Sequence, residues 1–212
     1  MSNHDLLRVD DDGTARCWWC GSDPLYVTYH DTEWGRPVTD SDRLFEKICL
    51  EGFQSGLAWI TVLRKRERFR EVFGGFGVEA VARMGSRDVE RLLGDAGIIR
   101  HRGKIEATIN NAQCARRMRD DGIDLSAHVW GFAVDAPFGR TDGPPEPGRL
   151  VTTTQAATAL SKDLRRRGWK FVGPTTVYSF MQSMGLVNDH MPGCSVADEC
   201  ERLRAGVVPD RR

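Results

Sequence analysis

LFEKICLEGFQSGLAWITVLRKRE, residues 44–67, is the stretch on which the fold turns. Leu44, Phe45, Ile48 and Cys49 recur at the spacing of one apolar helix stripe. Glu51, three residues after Ile48 and seven after Leu44, falls on that same stripe. Thr39, Asp40 and Ser41 each offer a cap for the start of this helix. The pattern bends at Ser55-Gly56 and resumes with Leu57, Trp59, Ile60 and Leu63. A carboxylate turned toward a core is costly unless something pairs with it. Its plainest role is a structural ion pair, and Trp59 alone reads as core. Together they suggest a pocket that stacks a flat ring and hydrogen-bonds its edge.

Helical signals continue on both sides. Val78–Met84 and Arg87–Leu93 read as short helices, the second with Ser86 as cap, and Gly103–Arg119 as a longer one with Ile105, Ile109 and Ala112 inward. Leu125–Phe132, Thr152–Arg167 and a last helix opening at Pro174 and closing at Gly185 complete the set. Residues 136–148, APFGRTDGPPEPG, hold four of the nine prolines and read as loop. The expectation is an all-α fold: a polar, disordered leader over 1–15, one helical domain over 16–194, and a polar, fraying tail over 195–212.

Bulk composition narrows the function classes. With 212 residues, 40% hydrophobic and 28% charged, the chain can build a real core. No apolar run approaches the roughly 20 residues of a membrane span. The first residues lack the apolar centre of a signal peptide, so a cytoplasmic protein with mostly reduced or metal-bound cysteines is expected. Thirty basic and thirty acidic residues cancel, so the net charge gives no case for a polyanion. Local runs do: Arg64–Arg66, Arg100–Lys104, Arg116-Arg117 and Arg165–Arg167.

Two further clusters carry chemistry. Cys17, His30, His190 and Cys194 offer two thiolates and two imidazoles, and His190-Met-Pro-Gly-Cys194 has a spacing that chelates zinc. Cys17-Trp-Trp-Cys20 is a rival pair, and spacing does not choose between Cys17 and Cys20. Four protein ligands close the shell, which makes a structural site that clips the two ends of the chain together. The second cluster, LLGDAGIIRHRGKI over 92–105, joins two helices through a glycine turn. Such a turn can aim backbone N–H groups and a helix N-terminus at a phosphate, with Arg100, Arg102 and Lys104 beside it.

These pieces resemble the DNA-3-methyladenine glycosylase I family of the helix-hairpin-helix DNA glycosylase superfamily. The matching strings are DPLYVTYHDTEWG (23–35), residues 44–67, AGIIRHRGKI (96–105), KFVGPTTVYSFMQSMGLVNDH (170–190) and Cys194. The resemblance implies a helix-hairpin-helix fold, monofunctional excision of 3-methyladenine from double-stranded DNA, and a structural zinc. It implies Cys17, His30, His190 and Cys194 as zinc ligands, with Cys20 a bystander. Glu51 and Tyr29 match the residues that hydrogen-bond the flipped base, and Trp59 the one that stacks on it. Trp19, Tyr26 and Trp34 match the rest of the pocket. Gly56-Leu57 matches the loop that fills the gap in the duplex. Gly97, Arg100, Arg102, Gly103 and Lys104 belong to the DNA-binding hairpin. Ile99 stands where related hairpins place a second glycine, and the catalytic Asp of many relatives has no clear counterpart.

The chemistry suits such residues. A base inside a duplex must be flipped out before it can be cleaved. Methylation at N3 makes adenine cationic, and Trp and Tyr faces favour a flat cation over a neutral ring. Two rivals stand beside this reading. A non-catalytic zinc-clipped DNA-binding module leaves Glu51 and the aromatic residues without a role. A zinc deaminase needs H-x-E and P-C-x-x-C, whereas the chain has His30-Asp31-Thr32-Glu33 and no second motif. One lesion needs one protein molecule, so a monomer is expected.

Overall fold

Short polar side chains start many of the helices by accepting from the first free amides. The computed structural model describes residues 6–139 and 151–208. Strands β1 (Leu7–Val9) and β2 (Ala15–Cys17) pair antiparallel, with Leu7 opposite Cys17. Asp23 caps α1 (Pro24–Thr32), and Asp40 caps α2 (Ser41–Gln54) by accepting from the Arg43 amide at 2.9 Å. Then come α3 (Trp59–Leu63), α4 (Arg66–Val72), α5 (Val78–Ala82) and α6 (Ser86–Leu93). They lead into α7 (Arg102–Asp120), α8 (Leu125–Trp130), α9 (Gln155–Arg166), α10 (Pro174–Ser183) and α11 (Ala197–Ala205).

The centre is α2. Every residue from Leu44 to Phe53 is buried, and α10, α7, α3 and α8 pack around it. A helix covered on all sides is normally apolar throughout. This one carries Glu46, Lys47 and Glu51 inside, and each finds a charged partner. Asn111 of α7 clamps the turn before α10: it donates to Lys170 O at 2.9 Å and accepts from Lys170 N at 2.8 Å. Gly185 ends α10 with φ +74, where an added Cβ would lie 2.6 Å from Pro37 N, so only glycine fits.

The structure departs from expectation at both ends. The leader is not disordered over residues 6–15: it forms the β1–β2 hairpin, held by side-chain hydrogen bonds from Arg16 to Asp10 and Asp31. Residues 1–5 lie outside the described residues. The tail does not fray either. It forms α11, where Cys200 is buried and Arg204 reaches Ala136 O at 2.6 Å and Val134 O at 3.2 Å. A polar segment is anchored here by backbone carbonyls far away in sequence, which apolar periodicity does not register. The cap of α6 is Gly85 rather than Ser86, with Asp88 reaching back to the Gly85 amide. Most of the proline-rich loop expected over 136–148 lies outside the described residues.

Candidate active site and metal cluster

A cavity of about 220 Å³ opens beside α2. Tyr26 and Tyr29 reach it from α1, Glu51 from α2 and Trp59 from the first position of α3. Trp18, Trp19 and Trp34 flank α1 and complete the aromatic lining. The rings brace one another: Trp19 lies 4.9 Å from Trp34 and 5.1 Å from Tyr26, and Tyr29 lies 5.6 Å from Trp59, between centroids. All six residues singled out in the sequence therefore meet in one cavity. Ser179 and Gln182 of α10 and Asp189 also line it, and sequence reasoning missed them.

It also missed Lys47. Its ammonium lies 2.8 Å from Glu51 Oε1 and donates to Tyr29 Oη at 2.9 Å. It also stands 3.2 Å from the Trp59 ring centroid. Lys47 and Glu51 are one helical turn apart, a spacing that on a surface marks an ordinary solvated pair. Here both are buried. Burial lowers the Lys47 pKa to about 8, with Glu51 holding it up in part. Burial pushes Tyr26 up to about 12 and Tyr29 well above its ordinary value, Glu51 adding to both, so both phenols keep their protons at neutral pH. The indole Nε1 of Trp59 is buried without a hydrogen-bond partner.

At the rim, α2 ends at Ser55, and Gly56 turns with φ +84. This turn holds Leu57 42% exposed, an apolar side chain presented to solvent at the tip. The connection between α6 and α7 is more occupied than expected. The Gly97 amide donates to Asp95 Oδ1 at 2.7 Å, and Arg102 is paired with Glu90 at 2.8 Å. Arg100 is exposed and Gly103 lies in the first turn of α7. Lys104 corrects its reading as a phosphate contact. Its ammonium is buried and donates to Phe53 O at 2.8 Å and Ser55 O at 2.6 Å. Free carbonyls at the C-terminus of α2 attract a cation, and α7 supplies it.

The four predicted ligands converge as well. The ligand atoms of Cys17, His30, His190 and Cys194 lie within 4.8 Å of one another, all buried. Cys194 Sγ is 3.5 Å from both His30 Nε2 and His190 Nδ1, and Cys17 Sγ is 3.7 Å from His190 Nδ1. With metal–sulfur and metal–nitrogen bonds of about 2.3 and 2.0 Å, a tetrahedral zinc has ligand–ligand edges of about 3.5 Å. The cluster fits such an ion. Each imidazole is also oriented by its other nitrogen, His30 Nδ1 on Asp31 at 2.8 Å and His190 Nε2 on Trp34 O at 3.1 Å. Cys194 is pulled far down in pKa, first by the Cys17 hydrogen bond and then, against burial, by His190 and His30. Cys20 turns away, its thiol on Cys17 O at 3.1 Å. The cluster abuts the cavity wall: the Trp34 ring lies 4.5 Å from that of His190.

Solved DNA glycosylases share this helical fold. One crystal structure of 3-methyladenine DNA glycosylase I aligns with TM-score 0.78 at 51% identity, over 85% of this chain and 98% of that one. A tyrosine-to-phenylalanine variant of 3-methyladenine DNA glycosylase I in complex with 3-methyladenine aligns with TM-score 0.80 at 36% identity, over 86% and 97%. The DNA-3-methyladenine glycosylase 1 of Escherichia coli (strain K12) is 54% identical over 179 residues, 84% of this chain and 95% of that protein. A family model described as methyladenine glycosylase matches residues 19–197. The chain belongs to the methyladenine glycosylase family.

Proposed function

We propose that this protein flips 3-methyladenine out of double-stranded DNA and hydrolyses its N-glycosidic bond, releasing the free base and leaving an abasic site. The observation that carries this reading is a ring-sized cavity lined by six aromatic residues, with the buried carboxylates of Glu51 and Asp189 among them. Trp59 stacks on the flipped base, and Tyr29 and Glu51 hydrogen-bond its edge. Trp19, Tyr26 and Trp34 close the remaining aromatic wall. The pocket favours a cationic ring through the faces of these residues.

The bond between C1′ and the base breaks with its electron pair leaving on the base. The base is already cationic, so it departs neutral without prior protonation. Water adds to C1′ and gives up a proton. The protein's part is to hold the ring and keep Glu51 close to the positive charge. The Leu57 side chain, on its Gly56 turn, fills the vacated stack, and the α6–α7 connection with Gly97, Arg100, Arg102 and Gly103 serves as a hairpin against the phosphates. Zinc on Cys17, His30, His190 and Cys194 is structural, holding the β2 end of the chain to the segment after α10. No helix among the described residues is long and apolar enough to cross a membrane. A monomer in the cytosol suffices for a single lesion.

The test is release of free base from methylated duplex DNA. Free 3-methyladenine, with abasic sites that remain uncleaved until alkali is added, is the expected result. Strand breaks without alkali contradict monofunctional hydrolysis, and binding without any release favours a non-catalytic DNA-binding module.

A further inference from the structure

One ammonium touches three walls of the cavity from behind. Lys47 does not line the base-sized cavity. It lines a smaller one of about 20 Å³, together with Arg66, Glu33, Arg43, Glu46 and Arg70. Tyr29 and Trp59 line both, so these two rings are the partition between them. We propose that Lys47 is a positioning residue that sets the hydrogen-bond polarity of the base pocket and thereby its choice of adenine over guanine. This rests on the glycosylase reading above.

The argument is one of donors and acceptors. An ammonium can only donate. Tyr29 Oη accepts from Lys47 at 2.9 Å, so its own hydrogen must point elsewhere. Glu51 Oε1 lies 2.8 Å from the same nitrogen, and a carboxylate can only accept. The pocket therefore offers a phenol donor and a carboxylate acceptor side by side. Adenine shows the complement at N7, an acceptor, and N6, a donor. Guanine shows two acceptors, N7 and O6, and its O6 would face a carboxylate oxygen. Methylation at N3 leaves that edge unchanged. Ring charge thus selects the damaged base, and Lys47 selects which purine. The ammonium on the back of Trp59, 3.2 Å from the centroid, also fixes the ring on which the base stacks.

The test compares wild type with Lys47→Met on one sample of randomly methylated duplex DNA, counting 3-methyladenine and 3-methylguanine released. The expected result is a folded variant whose adenine-to-guanine ratio falls about tenfold, the worth of one well-matched purine edge. An unchanged ratio in a folded, active variant overturns the proposal and leaves the glycosylase reading intact. No release of any base by wild type takes both down.

A second measurement does not depend on the variant folding. Burial lowers the Lys47 pKa to about 8; Glu51 and Tyr29 touch the ammonium directly, and the Glu33–Arg66 ion pair, Arg43, Glu46 and Arg70 line the small cavity around it. A neutral amine can accept from Tyr29, which removes the donor from the pocket. The wild-type ratio should fall between pH 7 and 9.5, and a flat ratio there overturns the proposal. Unfolding would not mimic this through Lys47. Its folded pKa lies below the ordinary 10.5, so its own contribution to stability rises with pH across this window.

Discussion

Leu57 is one of six large hydrophobic side chains exposed among the described residues, and it stands beside the rim of the cavity. It is 42% exposed at the tip of a glycine turn, and its removal should change stability by less than about 0.5 kcal/mol. Leu57→Ala should nonetheless slow base release from duplex DNA about tenfold or more, since the unstacking of a base step costs a few kcal/mol and the wedge offsets part of it. Release from methylated single strands should be nearly unchanged. Equal losses on both substrates would remove Leu57 from the flipping step. Lys104 makes the opposite prediction. Its ammonium satisfies two carbonyls at the end of α2 from inside the protein, so Lys104→Met should cost about 1–3 kcal/mol of stability and leave DNA affinity close to wild type. A stable variant that binds DNA poorly would return Lys104 to the phosphates.

Among the elements, the clip between the β2 end and the segment after α10 is the most exposed to test. We expect one zinc per chain by elemental analysis, and a lower melting temperature on chelation. Because Trp34 O accepts from His190 and the Trp34 ring packs on it, metal loss should also weaken binding of free 3-methyladenine. A metal-free protein with unchanged melting and base affinity would contradict the clip. This cluster was legible in sequence because His190 and Cys194 chelate at short range, and the Cys17–His30 half came from resemblance and from convergence in space. The helices α2, α9 and α10 were legible because apolar period and caps agree. Lys47 was not. Paired with Glu51 at four residues, it looks like a surface pair, and it is buried by residues distant in sequence, among them Tyr29 of α1, Trp59 of α3 and Arg66 of α4. The α11 helix was illegible for the same reason, its anchor Arg204 having distant partners.

At the scale of the whole molecule, zero net charge leaves recognition to a few local features rather than to a broad basic face. Phosphate contacts set the salt slope of DNA binding, and around the α6–α7 connection several cations are already engaged: Arg102 is paired with Glu90, Arg68 with Asp95 and Lys104 is buried. The slope of log affinity against log salt should therefore be shallow, about −2 to −4 for two to four phosphates. A slope near −8 would show phosphate contacts well beyond the α6–α7 connection. On the function proposed above, lesion choice would rest on the cavity and on Glu51 within it. The measurement that tests this most directly is single-turnover release of 3-methyladenine from methylated duplex DNA by wild type and Glu51→Gln, with DNA affinity measured alongside. We predict rapid release by wild type and a loss of about 10²-fold in the variant, with affinity for undamaged duplex unchanged. Equal release by a folded Glu51→Gln protein would contradict the central role of the buried carboxylate.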